Sequence, residues 1–343
     1  KTIGTCAFQN CNSLETVIFK DSDTVTKTIG DYAFNNCPTL TTVDFGNAVK
    51  SIGSYAFMID KSLENIEFPD SLESIGNYAF SCYRYGTYGS YVANSLKSVK
   101  FGSGLKTIGQ YAFYENQKLE TIEFTGNSLT SIENNAFHDC LALKEVNLTG
   151  NNAVIGDYAF YNNDALQKIT LSGVKTIGSY AFGYGDSLKN VSLGEGLVSV
   201  KNNAFQNCFN LETANFSDSL TTISNYAFDN CRKLTEIDIP SKVETLSGYA
   251  FSNCSALKNV SIGSGCTSIS STAFLNSYAI EKIDVAEDNK NYASVDGALL
   301  NKEKTSIVLY PKNKQGEFVI PDTVTTIADY AFNNAPNLTK VTI

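Results

Sequence analysis

Nine cysteines, one histidine and a scatter of carboxylates are the side chains of this 343-residue chain with chemistry to offer. Thiols at this density raise the question of a disulfide framework or a metal site. Their spacing argues for neither. No Cys-x-x-Cys occurs, and a zinc site would need more imidazoles than His138 alone supplies. Cys208, Cys231 and Cys254 follow one another at intervals of 23 residues. That interval puts them at equivalent positions of successive structural units, with parallel side chains and β-carbons ~5 Å apart, beyond the roughly 3.5–4.5 Å that a disulfide spans. They are expected to be free thiols packed as small core residues. One histidine leaves little for acid–base work near neutral pH, and His138 itself reads as an exposed turn residue. There is no Gly-x-Ser-x-Gly elbow, no phosphate-binding loop and no Gly-x-Gly-x-x-Gly. Asp21-Ser22-Asp23 lacks the further oxygen ligands of a calcium loop. The chain is expected not to be an enzyme and to hold no cofactor or metal.

Charge and apolar patterning exclude two classes of partner. Lys and Arg number 26 against 35 Asp and Glu, a net charge of −9, and no basic tract exists to follow a phosphate backbone. Nucleic acid is therefore not an expected partner. The apolar runs are a few residues long, far short of the roughly 20 that cross a bilayer, so this segment is not expected to insert in a membrane.

What must position these side chains is a repeat. The pair Ala-Phe occurs thirteen times, with Phe at 8, 34, 57, 80, 113, 137, 160, 182, 205, 228, 251, 274 and 332, and seven of the twelve spacings are 23. Relative to each Phe, the residues five before and one before are apolar, and so, except after Phe80 where ten residues intervene, are those six, nine and eleven after, as in Ile52, Ala56, Leu63, Ile66 and Phe68. Positions nine and eleven lie two apart with a polar residue between them, the period of a strand burying one face. Gly, Pro, Asn, Asp or Ser follows, so the chain turns, and no ten-residue helix fits in what remains. A coil this short buries too little to order itself alone. It must stack on its neighbours, strand beside parallel strand.

The consensus carried by residues 29–45 and 223–240, Ile-Gly-x-Tyr-Ala-Phe-x-Asn-Cys-x-x-Leu-x-x-Val-x-Phe/Ile, resembles the BspA-type leucine-rich repeat. The resemblance extends along essentially the full chain. Residues 291–300, Tyr310-Pro311 and Val319-Ile320-Pro321 resemble the variant unit that interrupts repeats of this kind. The resemblance implies an extracellular or cell-surface protein of bacteria or parasitic protists, one that adheres to host proteins or other cells. It carries no catalytic residues across.

The resulting expectation is a mostly β leucine-rich-repeat solenoid of about 13–14 coils. It has a parallel sheet on one face, irregular turns on the other and few or no helices. Residues 1–343 form one domain, interrupted by a Tyr-rich insertion at 81–95 and a variant repeat with a hairpin at 286–321. Lys1 enters partway through a coil and Ile343 ends at a strand position, and neither end has a polar cap, so the sequence reads as a fragment of a longer chain. The tyrosines two before Phe in nine coils, and the asparagines two after it in eight, read as structural ladders, with the Asn amides satisfying backbone groups at the turn.

Two surfaces are candidates for contact. One is the insertion, where Tyr83, Arg84, Tyr85, Tyr88 and Tyr91 sit among Gly and Ser, a composition suited to recognition. The other is the outward, presumed concave, strand face carrying Asn65, Glu67, Lys100, Glu123, Glu145, Asn147, Glu236 and Asp238. The expected molecule is a monomeric, non-enzymatic adhesion ectodomain that meets a host or bacterial protein or glycan. The alternative is a spacer with no ligand of its own.

Overall fold

The computed structural model describes residues 2–21, 27–82 and 94–343. The chain forms two compact units, Lys1–Asp186 and Ser187–Ile343. Among the described residues every regular element is a β-strand.

In the first unit each coil contributes two strands and one turn, and each is hydrogen-bonded to the coil above and below. Strands Thr2–Ile3, Lys27–Ile29, Val49–Ile52, Ser74–Ile75, Thr107–Ile108 and Ser131–Ile132 pair in parallel. Within this unit the row also includes the long strands Glu145–Ile155 and Lys168–Ile177. Register places Ile3, Ile29, Ile52, Ile75, Ile108, Ile132, Ile155 and Ile177 directly in line. This is the apolar position five before Phe, and β-branched residues suit it because their stiff side chains pack across a pleated surface. The second row is the one the alternation marks. In it Asn65–Glu67, Ser98–Phe101 and Thr121–Phe124 pair in parallel, with Ile66, Val99 and Ile122 aligned inward.

The turn at Ala-Phe is as regular as the strands. The N–H of each Phe donates to the carbonyl of the next coil's Ala, from Phe8 to Ala33 at 2.7 Å through Phe160 to Ala181 at 2.8 Å. Residues two before and two after Phe also donate to the next coil, and both hold left-handed backbone, for example Tyr55 at φ 60° and Asn36 at φ 58°. Asn tolerates this conformation better than most residues, which explains its recurrence two after Phe. Its amide does not bond to the turn backbone as the sequence suggested. It bonds to the same position one coil away, as in Asn36 Nδ2 to Asn10 Oδ1 at 2.7 Å. Tyr in the left-handed region is costlier, and its rings recover energy by stacking: Tyr32, Tyr55, Tyr78 and Tyr111 follow one another at 4.6, 5.0 and 4.6 Å. The interior is a column of rings from Phe8 to Phe182, stacked at 5.0–5.3 Å.

The second unit repeats the plan. Val200, Ile223, Leu246 and Ile269 align in one row, and Ile237, Val260 and Ile283 in the other. The rings of Phe205, Phe228, Phe251 and Phe274 stack behind them. After Lys282–Val285 the chain makes an antiparallel meander of Tyr292–Val295, Ala298–Asn301 and Ser306–Leu309. Its first turn is Asp296-Gly297, with φ of 50° and 76°, the paired positive values of the tight turn that this dipeptide favours. Ser306–Leu309 then rejoins the repeat, parallel to Thr326–Ile327. Tyr310 takes the place of a repeat Phe: its N–H donates to Ala331 O at 2.9 Å and its ring stacks on Phe332 at 4.9 Å.

Candidate functional site

The outward strand face is built by the pleat. In Asn65–Glu67 and Glu236–Ile239 the central Ile66 and Ile237 point into the core, so Asn65, Glu67, Glu236 and Asp238 must point out, and all four are exposed. Parallel in-register pairing brings like positions together from coil to coil. Lys100 lies 2.7 Å from Glu67, and Glu67 ahead of Glu123 holds the Lys100 ammonium above its usual range. Ser98 Oγ donates to Asn65 Oδ1 at 2.6 Å. Glu145 accepts from Asn147 Nδ2 at 2.8 Å and pairs with Lys168 at 3.4 Å. Each such exposed pair is worth ~0.2–1 kcal/mol, so the face is ordered more than it is stabilised. Among the described residues no backbone pairing joins Thr42–Asp44 to Asn65–Glu67, or Thr213–Asn215 to Glu236–Ile239. A cleft opens at each break. One, of about 550 Å³, is lined by Asp44, Glu67 and Lys100; the other, of about 200 Å³, by Phe216, Asp218, Glu236 and Asp238. The second candidate surface, Tyr83, Arg84, Tyr85, Tyr88 and Tyr91, lies outside the described residues.

All nine cysteines are free thiols, and the structure shows why six of them sit three residues after Phe. The carbonyl of the repeat Phe stays outside the coil-to-coil backbone ladder, and in several turns it takes a bond from the N–H three residues on, as from Asn116 to Phe113 at 3.4 Å. The side chain three past Phe in the next coil donates to it. Cys37 Sγ reaches Phe8 O at 3.2 Å, Cys254 Sγ reaches Phe228 O at 3.3 Å, Asn116 Nδ2 reaches Phe80 O at 3.0 Å and Ser277 Oγ reaches Phe251 O at 2.8 Å. Cys, Asn and Ser share one property here, a small donor, and a buried carbonyl without one costs ~1–3 kcal/mol. Burial pushes Cys37 up to about 11 and raises Cys140, Cys231 and Cys254 as well, so these four are not activated nucleophiles. Cys6, at the Tyr position of the first coil, is exposed rather than packed in the core.

Gly185 and Ala335 bring no donor to this position, and one coil brings a carboxylate. Asp60 occupies the donor position and is 6% exposed. Its Oδ1 accepts the Cys37 N–H at 2.6 Å, while Oδ2 is buried with no partner. Burial pushes its carboxyl up to about 8.

His138 is not the exposed residue its turn position suggested. Its side chain is 19% exposed, its Nδ1 lies 2.8 Å from Asn135 Oδ1, and its ring packs against Tyr114 and Tyr161 at 5.2 and 4.9 Å. Burial lowers its pKa against the opposing pull of Asp139. Sequence reasoning missed this cluster because its members are a full repeat apart. Among the described residues, no group of three or more His, Cys, Asp or Glu is arranged to hold a metal ion, and no helix is long and apolar enough to cross a membrane.

Stacked coils with a Leu six past eleven of the thirteen repeat Phe, two parallel strand rows and a phenylalanine column define a leucine-rich-repeat protein. The chain belongs to the BspA-type leucine-rich repeat family: the profile described as BspA type Leucine rich repeat region (6 copies) matches residues 1–87, 85–208, 175–295 and 308–343. Its solved relatives in fold include a leucine-rich repeat protein from Bacteroides ovatus, at 24% identity over 84% of this chain and 82% of that one, with a TM-score of 0.42. Another is a leucine rich cell surface protein from Faecalibacterium prausnitzii, at 28% identity over 83% of each chain and a TM-score of 0.42. The pneumococcal vaccine antigen PcpA aligns at 19% identity over 100% of this chain and 84% of that one, with a TM-score of 0.35. No curated protein matches.

Proposed function

We propose that this chain is a non-enzymatic repeat ectodomain, secreted or held at a cell surface, that adheres to a protein or glycan of a host or neighbouring cell. The observation that carries the reading is the registered outward row. Asn65, Ser98 and Thr121 lie in line, as do Glu67, Lys100 and Glu123, so polar groups recur at the strand spacing of ~4.8 Å along a surface rather than around a pocket. Membership of the BspA-type family supports it. Such a surface suits many weak contacts, because it lacks the buried aromatic and Arg anchors of a tight interface. The Tyr-rich insertion supplies anchors of that kind.

Replacing Tyr83, Tyr85, Tyr88 and Tyr91 together by Ser is expected to cut adhesion to cell monolayers at least tenfold, since each lost aromatic anchor costs ~1–2 kcal/mol or more. Thermal melting should hardly move. Unchanged adhesion would take the anchor away from this loop. The second reading, a spacer, is favoured by the pairing of the face with itself, as in Lys100 with Glu67 and Lys144 with Glu120. A spacer tolerates the four substitutions and responds instead to the number of coils.

A further inference from the structure

Four consecutive turns of the first unit differ from the rest. The segments 114–117, 138–141, 161–164 and 183–186 bring together Tyr114, His138, Tyr161 and Tyr184, and they carry Glu115, Asp139, Asp164 and Asp186 with no Lys or Arg. The rings form one connected surface beside the tyrosine ladder. Tyr114 meets Tyr111 at 5.4 Å and His138 at 5.2 Å, His138 meets Tyr161 at 4.9 Å, and Tyr161 meets Tyr158 at 5.3 Å and Tyr184 at 5.3 Å. At the corresponding turns of other coils stand Gln9-Asn10, Asn35-Asn36 and Gln206-Asn207, which are neither aromatic nor charged.

Tyr184 is the telling member. It occupies the left-handed position two after Phe, at φ 58°, where eight other coils use Asn. The ladder tyrosines from Tyr32 to Tyr111, Tyr158 with Tyr180 and Tyr226 with Tyr249 offset that backbone cost by stacking face to face. Tyr184 has only a tilted contact with Tyr161 and remains 38% exposed. A strained residue with little burial in return points to a use outside the fold. The carboxylates beside it sense one another: Asp164 is pushed up by burial and then by Asp186 and Asp139, and Glu115 by burial, with Asp139 adding to it. A bound cation relieves that repulsion. Burial lowers the His138 pKa, which disfavours an opposing positive charge there.

We propose that this aromatic and acidic surface docks an arginine-bearing basic segment of a protein partner, a guanidinium lying against the exposed Tyr184 ring while the carboxylates pair with the N–H forks. Charge complementarity selects this occupant: the four segments contribute four of the chain's acidic groups and none of its bases, and a guanidinium both stacks on a ring and forks onto a carboxylate, which an ammonium does not. The surface shares no residue with the Tyr83–Tyr91 insertion or with the strand face, so failure of the insertion variant leaves it standing, and its own failure leaves the adhesion reading standing.

The test is fluorescence anisotropy of the full chain with a labelled nine-residue arginine peptide and with its lysine counterpart, in about 0.1 M salt. Two variants accompany it, Tyr184→Asn, which installs the repeat's own residue, and Asp164→Asn, which alters an exposed side chain. The result expected is tighter binding of the arginine peptide, weakened about fivefold by either variant and more by both, with unchanged melting. Equal affinity for the two peptides, or variants that bind as the parent does, overturns the proposal by showing only diffuse attraction to an acidic chain. Tyr184-dependent binding of a neutral oligosaccharide, with none of the peptide, also overturns it.

Discussion

Phe137→Ala is expected to lower the stability of the first unit by about 3–5 kcal/mol, the cost of truncating a large side chain in a packed core. Phe137 is fully buried, stacked on Phe113 at 5.0 Å and Phe160 at 5.1 Å, with Phe101 edge-on at 6.3 Å. The cavity left has little means of closing, because the backbone on either side is fixed by the Phe113 to Ala136 and Phe137 to Ala159 hydrogen bonds at 2.8 and 2.7 Å. In a stack whose coils contact only their neighbours, the damage also weakens both adjacent interfaces. Urea unfolding measures the loss. Glu123→Ala, on the outward face of the same unit, is the control and should stay within about 0.5 kcal/mol. A Phe137→Ala loss no larger than that of the control would contradict a shared interior.

The second large effect is a pH dependence. Asp60 stands where other coils place a donor to the preceding Phe carbonyl, here that of Phe34, and only a protonated carboxyl donates. Its pKa is raised in the fold from 3.8 to about 8. The folded state therefore binds a proton that the unfolded chain has released, and the stabilisation is complete below pH 4, is lost progressively as pH rises to about 8, and is constant above. The loss across that window is on the order of 5 kcal/mol. The thiols that face Asp60, Cys37 and Cys82, are held at about 11 and about 12, so they do not titrate in the same window. Asp60→Asn keeps an acceptor for Cys37 N–H and supplies a permanent donor, as Asn116 and Asn163 do at the same position. The variant should match the parent near pH 4 and exceed its stability increasingly up to pH 8. Parallel stability curves for the two proteins from pH 4 to pH 8 would show Asp60 to be ionised in the fold.

The repeat was legible because its signals are local and recur. Ala-Phe, the Leu six later and the alternation of Ile66 with Asn65 and Glu67 mark each coil, and thirteen copies average away the exceptions. The row that holds Ser74–Ile75 and Thr107–Ile108 was not, since these strands are two residues long and display no period. The thiols could be placed in the core by phase, but their acceptor, a Phe carbonyl of the preceding coil, exists only once coils stack. Tyr310 escaped notice as a repeat Phe because Ile307 stands three residues before it, where a regular coil has five between Ile52 and Phe57. Asp296-Gly297 was in plain view as a hairpin turn. The rings around His138 come from Tyr114 and Tyr161, a coil away on either side, so no window of sequence contains them.

The most direct test of the account is removal of one whole period. Deleting residues 224–246 joins Ile223 to Ser247 and sets the Phe205 coil against the Phe251 coil in unbroken phase. This shortened chain should fold cooperatively, with slow hydrogen exchange at the Phe205 and Phe251 amides as in the parent, because every coil presents the same ladder to its neighbour. A chain shortened by 12 residues from the same point should lose that protection. Protection lost on deleting the full period, or kept equally with 12 residues removed, would contradict stacked coils in register.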